Sequence, residues 1–338
     1  MIIDNSKKQD VVLIGGYPPP FGGIAVHIMR LQDYLIHQNI NCQVLDIRFR
    51  KNKNNNIFSI LNVIKIRTAI LNNSIIHLHV SSFGKLFRLY LIFLLFKNQK
   101  KIITIHSGSF IDINNNRTKV NQKIFRYILG KVDEIIVVNQ AQRDYLLTSY
   151  SNIQLKISVI PAFIFPKSNT FKFNERKLGQ VSLVASGAFY EYYGFEMILS
   201  FLKEKQDIQA TFVFNGPCDK IYRKKILEII NSMSNVRYYE NMTPVEFNSI
   251  LKKSDIYVRN TDRDGDCVTI REAGFWGLQI IASDLPSRPI GIELIPYNNL
   301  EIFEKTISKL ILNSKLGIMY KPINNASQIL ELYKESIN

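Results

Sequence analysis

The sequence predicts an α/β fold made of two doubly wound parallel-sheet domains. Three observations predict it. Short β-branched apolar runs alternate with segments of helical period, the alternation breaks once near the middle and then resumes, and 338 residues exceed one ordinary core but suit two domains of roughly 150 residues each.

In the N-terminal half the runs "DVVLIGG" (10–16), "CQVLDI" (42–47), "SIIHLHV" (74–80), "KIITIH" (101–106), "DEIIVVN" (133–139) and "KISVIP" (156–161) have the length and the Ile/Val content of buried parallel strands. A helix is expected over 24–38, where Val26, Met29, Leu31, Tyr34 and Leu35 make one apolar stripe. "LYLIFLLF" (89–96), between Arg88 and Lys97, falls short of the ~18 apolar residues of a membrane span and reads as a buried helix. "RFRKNKNNN" (48–56) reads as a polar loop. The stretch 161–180, with two prolines and no period, is the expected interdomain break. Strands follow at 181–186, 210–216, 235–240, 255–260 and 278–284, with helices such as 243–253 between them. The expected organisation is an N-terminal Rossmann-like domain over 1–165, a linker over 166–180, a second Rossmann-like domain over 181–318, and a C-terminal helix within 319–338 that packs back on the first domain. Two facing domains of this kind place a ligand cleft between them, beyond the carboxyl ends of their strands.

Three cysteines, Cys42, Cys218 and Cys267, are far apart and odd in number, so they offer neither a disulfide framework nor a CxxC metal pair. The N-terminus lacks the basic start and long apolar run of a signal peptide, and a cytoplasmic protein is expected. The net charge is +15, unevenly placed. Residues 1–165 hold 21 Lys and Arg against 8 Asp and Glu, whereas residues 166–338 hold 22 against 20. A compositional bias toward Lys, Asn and Ile explains abundance more easily than this asymmetry. Such a field attracts polyanions, among them an anionic membrane surface or a phosphorylated substrate. No recognisable nucleic-acid reading module accompanies it, so a nucleic-acid partner is not expected.

The chemistry-bearing segment is "RNTDRDGDCVTIREAGFWG" (259–277). Asp262, Asp264 and Asp266 occupy positions 1, 3 and 5 of an EF-hand, but position 6 is Cys267 and position 12 is Ala273, so that reading fails. "DGD" as a metal-holding DxD motif belongs to a single-domain architecture and an earlier place in the chain. A helix terminus fits better. Asp266 is the expected N-cap of a helix over "IREAGFWG", leaving the amides after Gly265, those of Cys267, Val268 and Thr269, to form an anion site. The alternative is an Asp-rich turn before an ordinary capped helix.

The spacing from Asp264 through seven residues to Glu272, followed by "GLQIIASD", resembles the E-x₇-E segment and the following strand of family-four retaining glycosyltransferases of the GT-B fold. "GGYPPPFGGIAVHIMRLQDYLIHQNINCQVLD" (15–46) looks like that family's opening, with Gly22 and Gly23 at its glycine pair, and "IIHLHV" and "TIHSGSF" look like its two histidine-bearing strand ends. The resemblance implies that Asp264 contacts the transferred sugar and Glu272 the nucleotide ribose, that Gly22 and Gly23 let backbone approach the donor phosphate, and that His106 lies beside the reacting sugar, with His77 and His79 weaker candidates. It implies a nucleotide-sugar donor, a glycan or lipid-linked acceptor, retention of configuration, and no obligatory metal or other cofactor. One departure stands out. The family's Arg and Lys that neutralise the donor diphosphate are replaced by Ala188 and Tyr193 in "SGAFYEYYGFEMIL" (186–199), so other cations are needed. Arg259 is the first candidate, followed by Arg271 and Arg288. With the basic N-terminal domain, the expected location is peripheral, on the inner face of the cell membrane. A catalytically silent subunit and a nucleotide-sugar epimerase are the alternatives.

Overall fold

The computed structural model describes residues 11–47, 57–59, 74–81, 99–106, 118–151, 156–166, 181–312 and 320–335, with residues 86 and 111. The helix expected at 89–96, the loop at 48–56, the end of "TIHSGSF" and positions 167–180 lie outside the described residues. Two compact units divide the chain: residues 1–19, 24–164 and 324–338 form one, and residues 20–23 and 165–323 the other.

The first unit is built on β1 (Val11–Gly15), β2 (Cys42–Asp46), β3 (Ile57–Ser59), β4 (Ile75–Val80), β5 (Lys100–Ile105), β6 (Glu134–Val137) and β7 (Ile157–Val159). Their order is β3-β2-β1-β4-β5-β6-β7, and every pairing is parallel. Among its described residues the helices are α1 (Gly23–His37), α2 (Lys119–Leu129) and α3 (Gln140–Ser149), with a fourth near the C-terminus. Successive strand residues point to opposite faces, and the core divides accordingly. Val12, Ile14, Ile76, Leu78 and Phe125 pack in one cluster, Val11, Leu13, Leu31, Leu35 and Ile75 in another. β1 and β4 are buried along their whole length, as parallel strands covered on both faces must be. That is why they carry uninterrupted apolar runs rather than alternation.

The second unit repeats the plan with β8 (Ser182–Gly187), β9 (Gln209–Phe214), β10 (Val236–Glu240), β11 (Ile256–Arg259), β12 (Gln279–Ser283) and β13 (Glu293–Ile295). The order is β10-β9-β8-β11-β12-β13, again parallel throughout. Its helices are α4 (Phe195–Glu204), α5 (Lys220–Asn231), α6 (Pro244–Leu251), α7 (Val268–Phe275) and α8 (Leu300–Leu312). Local chemistry sets their ends: α6 starts with Pro at its first turn, and Thr243 and Glu246 cap each other's backbone amides reciprocally. Phe195, Phe201, Phe212 and Phe303 centre the core.

The last helix, α9 (Ala326–Glu335), belongs to the first unit. Ala326, Ile329, Leu330 and Tyr333 join its core, and Asn325 Nδ2 donates to the Phe163 carbonyl at 3.1 Å. Ala162, Phe163 and Ile164 are buried too, so the start of the aperiodic stretch is packed structure. In both sheets the strand order reverses once, between β1 and β4 and between β8 and β11. These reversals leave a crevice at the carboxyl ends of the strands, where open sheets bind ligands. No described helix is long and apolar enough to cross a membrane.

Candidate functional site

At the reversal point of the second sheet, β11 ends in Arg259, and its guanidinium is almost fully occupied. Nη1 donates to the Ser186 carbonyl at the end of β8 (2.7 Å), while Nε and Nη2 grip the two oxygens of Asp264 at 2.9 and 3.1 Å. The Tyr193 ring lies beneath it, 4.7 Å from the guanidinium carbon, a cation–π seat. Arg288 approaches the same carboxylate from beyond β12, Nη1 to Oδ2 at 3.0 Å, and donates through Nε to the Ser283 carbonyl at 3.1 Å. The Arg288 side chain is only 1% exposed. Two cations therefore share one anion, leaving net positive charge. Three of the carboxylate's roughly four acceptor positions are used. Burial works against the charged form of Asp264, but Arg259 and Arg288 outweigh it and hold the carboxyl below the ordinary aspartate range.

The three aspartates do not converge. Asp262 pairs with its exposed neighbour Arg263 at 2.6 Å, Asp264 with Arg259 and Arg288, and Asp266 with Arg271 at 2.6 Å. Among the described residues they form no group able to hold a metal ion. The expectation that Asp266 caps α7 is corrected. Cys267 holds the N-cap position and no side chain caps the helix, because Arg271, which also donates to Tyr320 Oη at 2.6 Å, draws the Asp266 carboxylate away from the amides. The first-turn amides of α7 thus remain without a side-chain acceptor. Thr269 is turned inward, its Oγ1 2.6 Å from Tyr257 Oη and 3.1 Å from Cys267 Sγ, and Tyr257 Oη in turn lies 2.8 Å from Ser186 Oγ. This chain fixes α7 to β11 and β8. Burial raises the Cys267 thiol. Gly265 and Val268 are buried beside it. Glu272 is 4% exposed on the second turn of α7.

Gly22 and Gly23 open α1, and a Cβ added to either meets no atom within 4 Å. Their backbone faces open space. His106 follows β5 in the first unit and joins a cluster at that sheet's reversal point: its Nε2 lies 3.1 Å from His79 Nδ1, and the His27 ring is 4.9 Å away. Burial, with His27 and His77 nearby, holds His106 well below the usual histidine range, so its ring is neutral. His77 bonds Tyr333 Oη at 2.5 Å and Thr104 Oγ1 at 2.6 Å. The structure thus brings Arg259, Asp264, Gly265, Asp266, Cys267, Val268, Thr269 and Glu272 into one unit, and places His106 in the other. Tyr193, a loss by sequence, is a support in the structure, and His27 carries no sequence signal of its own. The seat under Arg259 and the histidine on the buried side of α1 emerge only when strands distant in sequence are set side by side.

Residues 21–167 match the family model described as Glycosyltransferase Family 4. Comparison with curated proteins finds no sequence match. Among solved structures, the chain is similar to a glycosyltransferase from Rickettsia africae (TM-score 0.70, 15% identity, 98% of this chain and 99% of that one). It is also similar to sucrose-phosphate synthase from Thermosynechococcus elongatus (TM-score 0.74, 13% identity, 97% and 99%). A third is the catalytic domain of starch synthase IV from Arabidopsis thaliana bound to ADP and acarbose (TM-score 0.70, 11% identity, 97% and 99%). The fold they share with this chain is GT-B.

Proposed function

From the premise that this is a family-four-like glycosyltransferase of the GT-B fold, we propose that it moves a sugar from a nucleotide-sugar donor to a glycan or polyprenyl-diphosphate-linked acceptor. The reaction proceeds with retention and without an obligatory metal, in O-antigen, capsule or exopolysaccharide synthesis. The observation that carries the reading is the meeting of Arg259 and Arg288 on Asp264, beside an α7 terminus with no side-chain cap. Nucleotide-sugar transfer leaves a nucleoside diphosphate, whose charge must be stabilised as the glycosidic bond breaks. Two guanidiniums against one carboxylate, together with first-turn amides and the helix dipole, supply that stabilisation where Ala188 and Tyr193 cannot.

In this reading Tyr193 supports Arg259 instead of contacting phosphate itself. Asp264 orients the arginines and offers its remaining acceptor position to a sugar hydroxyl. Glu272 holds the ribose, and the open backbone at Gly22 and Gly23 admits the phosphates. His106, a neutral imidazole, supports the donor sugar as positive charge develops, and the departing phosphate takes the acceptor's proton. The excess of 21 Lys and Arg over 8 Asp and Glu in residues 1–165 suits docking on the anionic inner leaflet, where a lipid-linked acceptor resides.

Transfer measured with purified protein, a panel of sugar nucleotides and membrane-extracted acceptors tests this. Wild type is expected to transfer with one donor, and Asp264→Ala and His106→Ala to lose transfer while keeping their circular dichroism. A silent subunit would show no transfer and would complement a deletion strain with either variant. An epimerase would convert donor with no acceptor present.

A further inference from the structure

Four of the chain's five histidines meet in the first unit, and their hydrogen bonds do not close. His77 is satisfied at both nitrogens. His27 is not: its Nδ1 lies 2.6 Å from the Ala162 carbonyl, and because a carbonyl only accepts, Nδ1 carries the proton and Nε2 is a bare lone pair. That Nε2 is buried without a partner, and so is Nε2 of His79. Both residues are 2% exposed. A buried polar atom left unpaired costs about 1–3 kcal/mol, and the bare lone pair of His27 Nε2, with a second unpaired nitrogen on His79 in the same cluster, calls for a ligand that accepts lone pairs.

We propose that His27, His79 and His106 form a binding site for one divalent cation of the zinc class, tying α1 to the carboxyl ends of β4 and β5. One ligand atom from each lies within 4.8 Å of the others. Three atoms so spaced have a point within about 2.8 Å of all of them, so an inward shift of about 0.7 Å each reaches the usual zinc–nitrogen distance. The bond from His27 Nδ1 to a backbone carbonyl is the orienting contact that fixes tautomer and ring plane in metal-binding histidines. All three residues belong to the first unit, so the inference goes beyond the donor reading and does not rest on it. His106 serves both, which is why the test reads cation binding in variants of His27 and His79 and not transfer.

Chelator-stripped protein is titrated with Zn²⁺ against a chromophoric indicator, and separately with Co²⁺ while its visible spectrum is followed. Wild type is expected to bind one Zn²⁺ per chain. His27→Ala and His79→Ala should weaken binding by roughly 100-fold, and His37→Ala, an exposed histidine at the end of α1, should leave it unchanged. Co²⁺ on wild type should give the intense bands of a low-coordinate nitrogen site, a readout that stands even if the alanine variants misfold. The proposal is overturned by wild type that takes up no stoichiometric Zn²⁺, by affinity in His27→Ala and His79→Ala equal to that of wild type, or by the weak spectrum of six-coordinate Co²⁺.

Discussion

Asp264 sits between two guanidiniums in a place with little water, and the consequences of neutralising it follow from that. Asp264→Asn leaves Arg259 and Arg288 facing each other without their counter-charge. Breaking a buried pair in this way costs about 3 kcal/mol, read as a lower urea midpoint with unchanged slope. The pH dependence has a definite sign. A carboxyl held below its ordinary value contributes stability that is present above about pH 4, the unfolded value, and lost as pH falls through the depressed folded value. The deficit of Asp264→Asn against wild type is therefore expected to be constant from about pH 5 to 8 and to shrink only in more acidic solution. A deficit that shrinks between pH 8 and 6 would mean another group is responsible. At this scale the sequence was partly legible. The spacing from Asp264 to Glu272 and the strand-end position of Arg259 marked the segment, and a run of alternating aspartates suggested a shared ligand. Their partners are four separate arginines, Arg259, Arg263 and Arg271 within the same segment and Arg288 beyond it, and which aspartate takes which arginine cannot be read from spacing.

Among elements, glycines at two helix starts behave oppositely. At Gly22 and Gly23 an added Cβ meets nothing, and neither has positive φ. Gly22→Ala and Gly23→Ala are therefore expected to leave stability unchanged or raise it by up to about 1 kcal/mol, while transfer falls because the methyl groups occupy the phosphate approach. Calorimetry alongside a transfer assay separates the two effects. Gly194, before α4, has φ +53°, and a Cβ there would strike the Asn260 and Asn298 amide groups. Asn260 donates to the Gly194 carbonyl at 2.9 Å and to Asn298 at 2.8 Å, joining the segment that carries Tyr193 to the one after β11. Gly194→Ala is expected to cost about 2 kcal/mol or more and to loosen the seat of Arg259, seen as a lower melting temperature and weaker nucleotide binding. Element existence was legible because buried parallel strands concentrate Ile and Val, and all eleven strands expected here fall within two residues of their observed ends. β3 and β13, three residues each, are too short to carry a period. The cap of α7 was misread because an Asp before a helix has the same sequence signature whether it meets the first amides or, as Asp266 does, an arginine one turn into the helix.

At the scale of the whole molecule, two sheets with the same reversal of strand order, 3-2-1-4-5-6 in kind, place their candidate sites at equivalent points: histidines in one, arginines in the other. That duplication was legible as architecture and not as repeated sequence, since the two sheets share a strand plan and differ in side chains. The charge asymmetry also belongs to this scale. Binding to vesicles containing anionic lipid is expected at low ionic strength and should be lost in about 0.5 M salt, where the screening length falls below ~5 Å. Retention on neutral vesicles would contradict an electrostatic origin. The central claim, that Arg259 and Arg288 at the start of α7 receive a nucleoside diphosphate, is tested most directly by titrating UDP, GDP and ADP into wild type and Arg288→Ala in a calorimeter. One of the three is expected to bind wild type and to bind the variant roughly 30-fold or more weakly, the loss of a charge-assisted contact worth about 2 kcal/mol. Equal affinity in the two proteins, or no binding of any of the three to wild type, would contradict it.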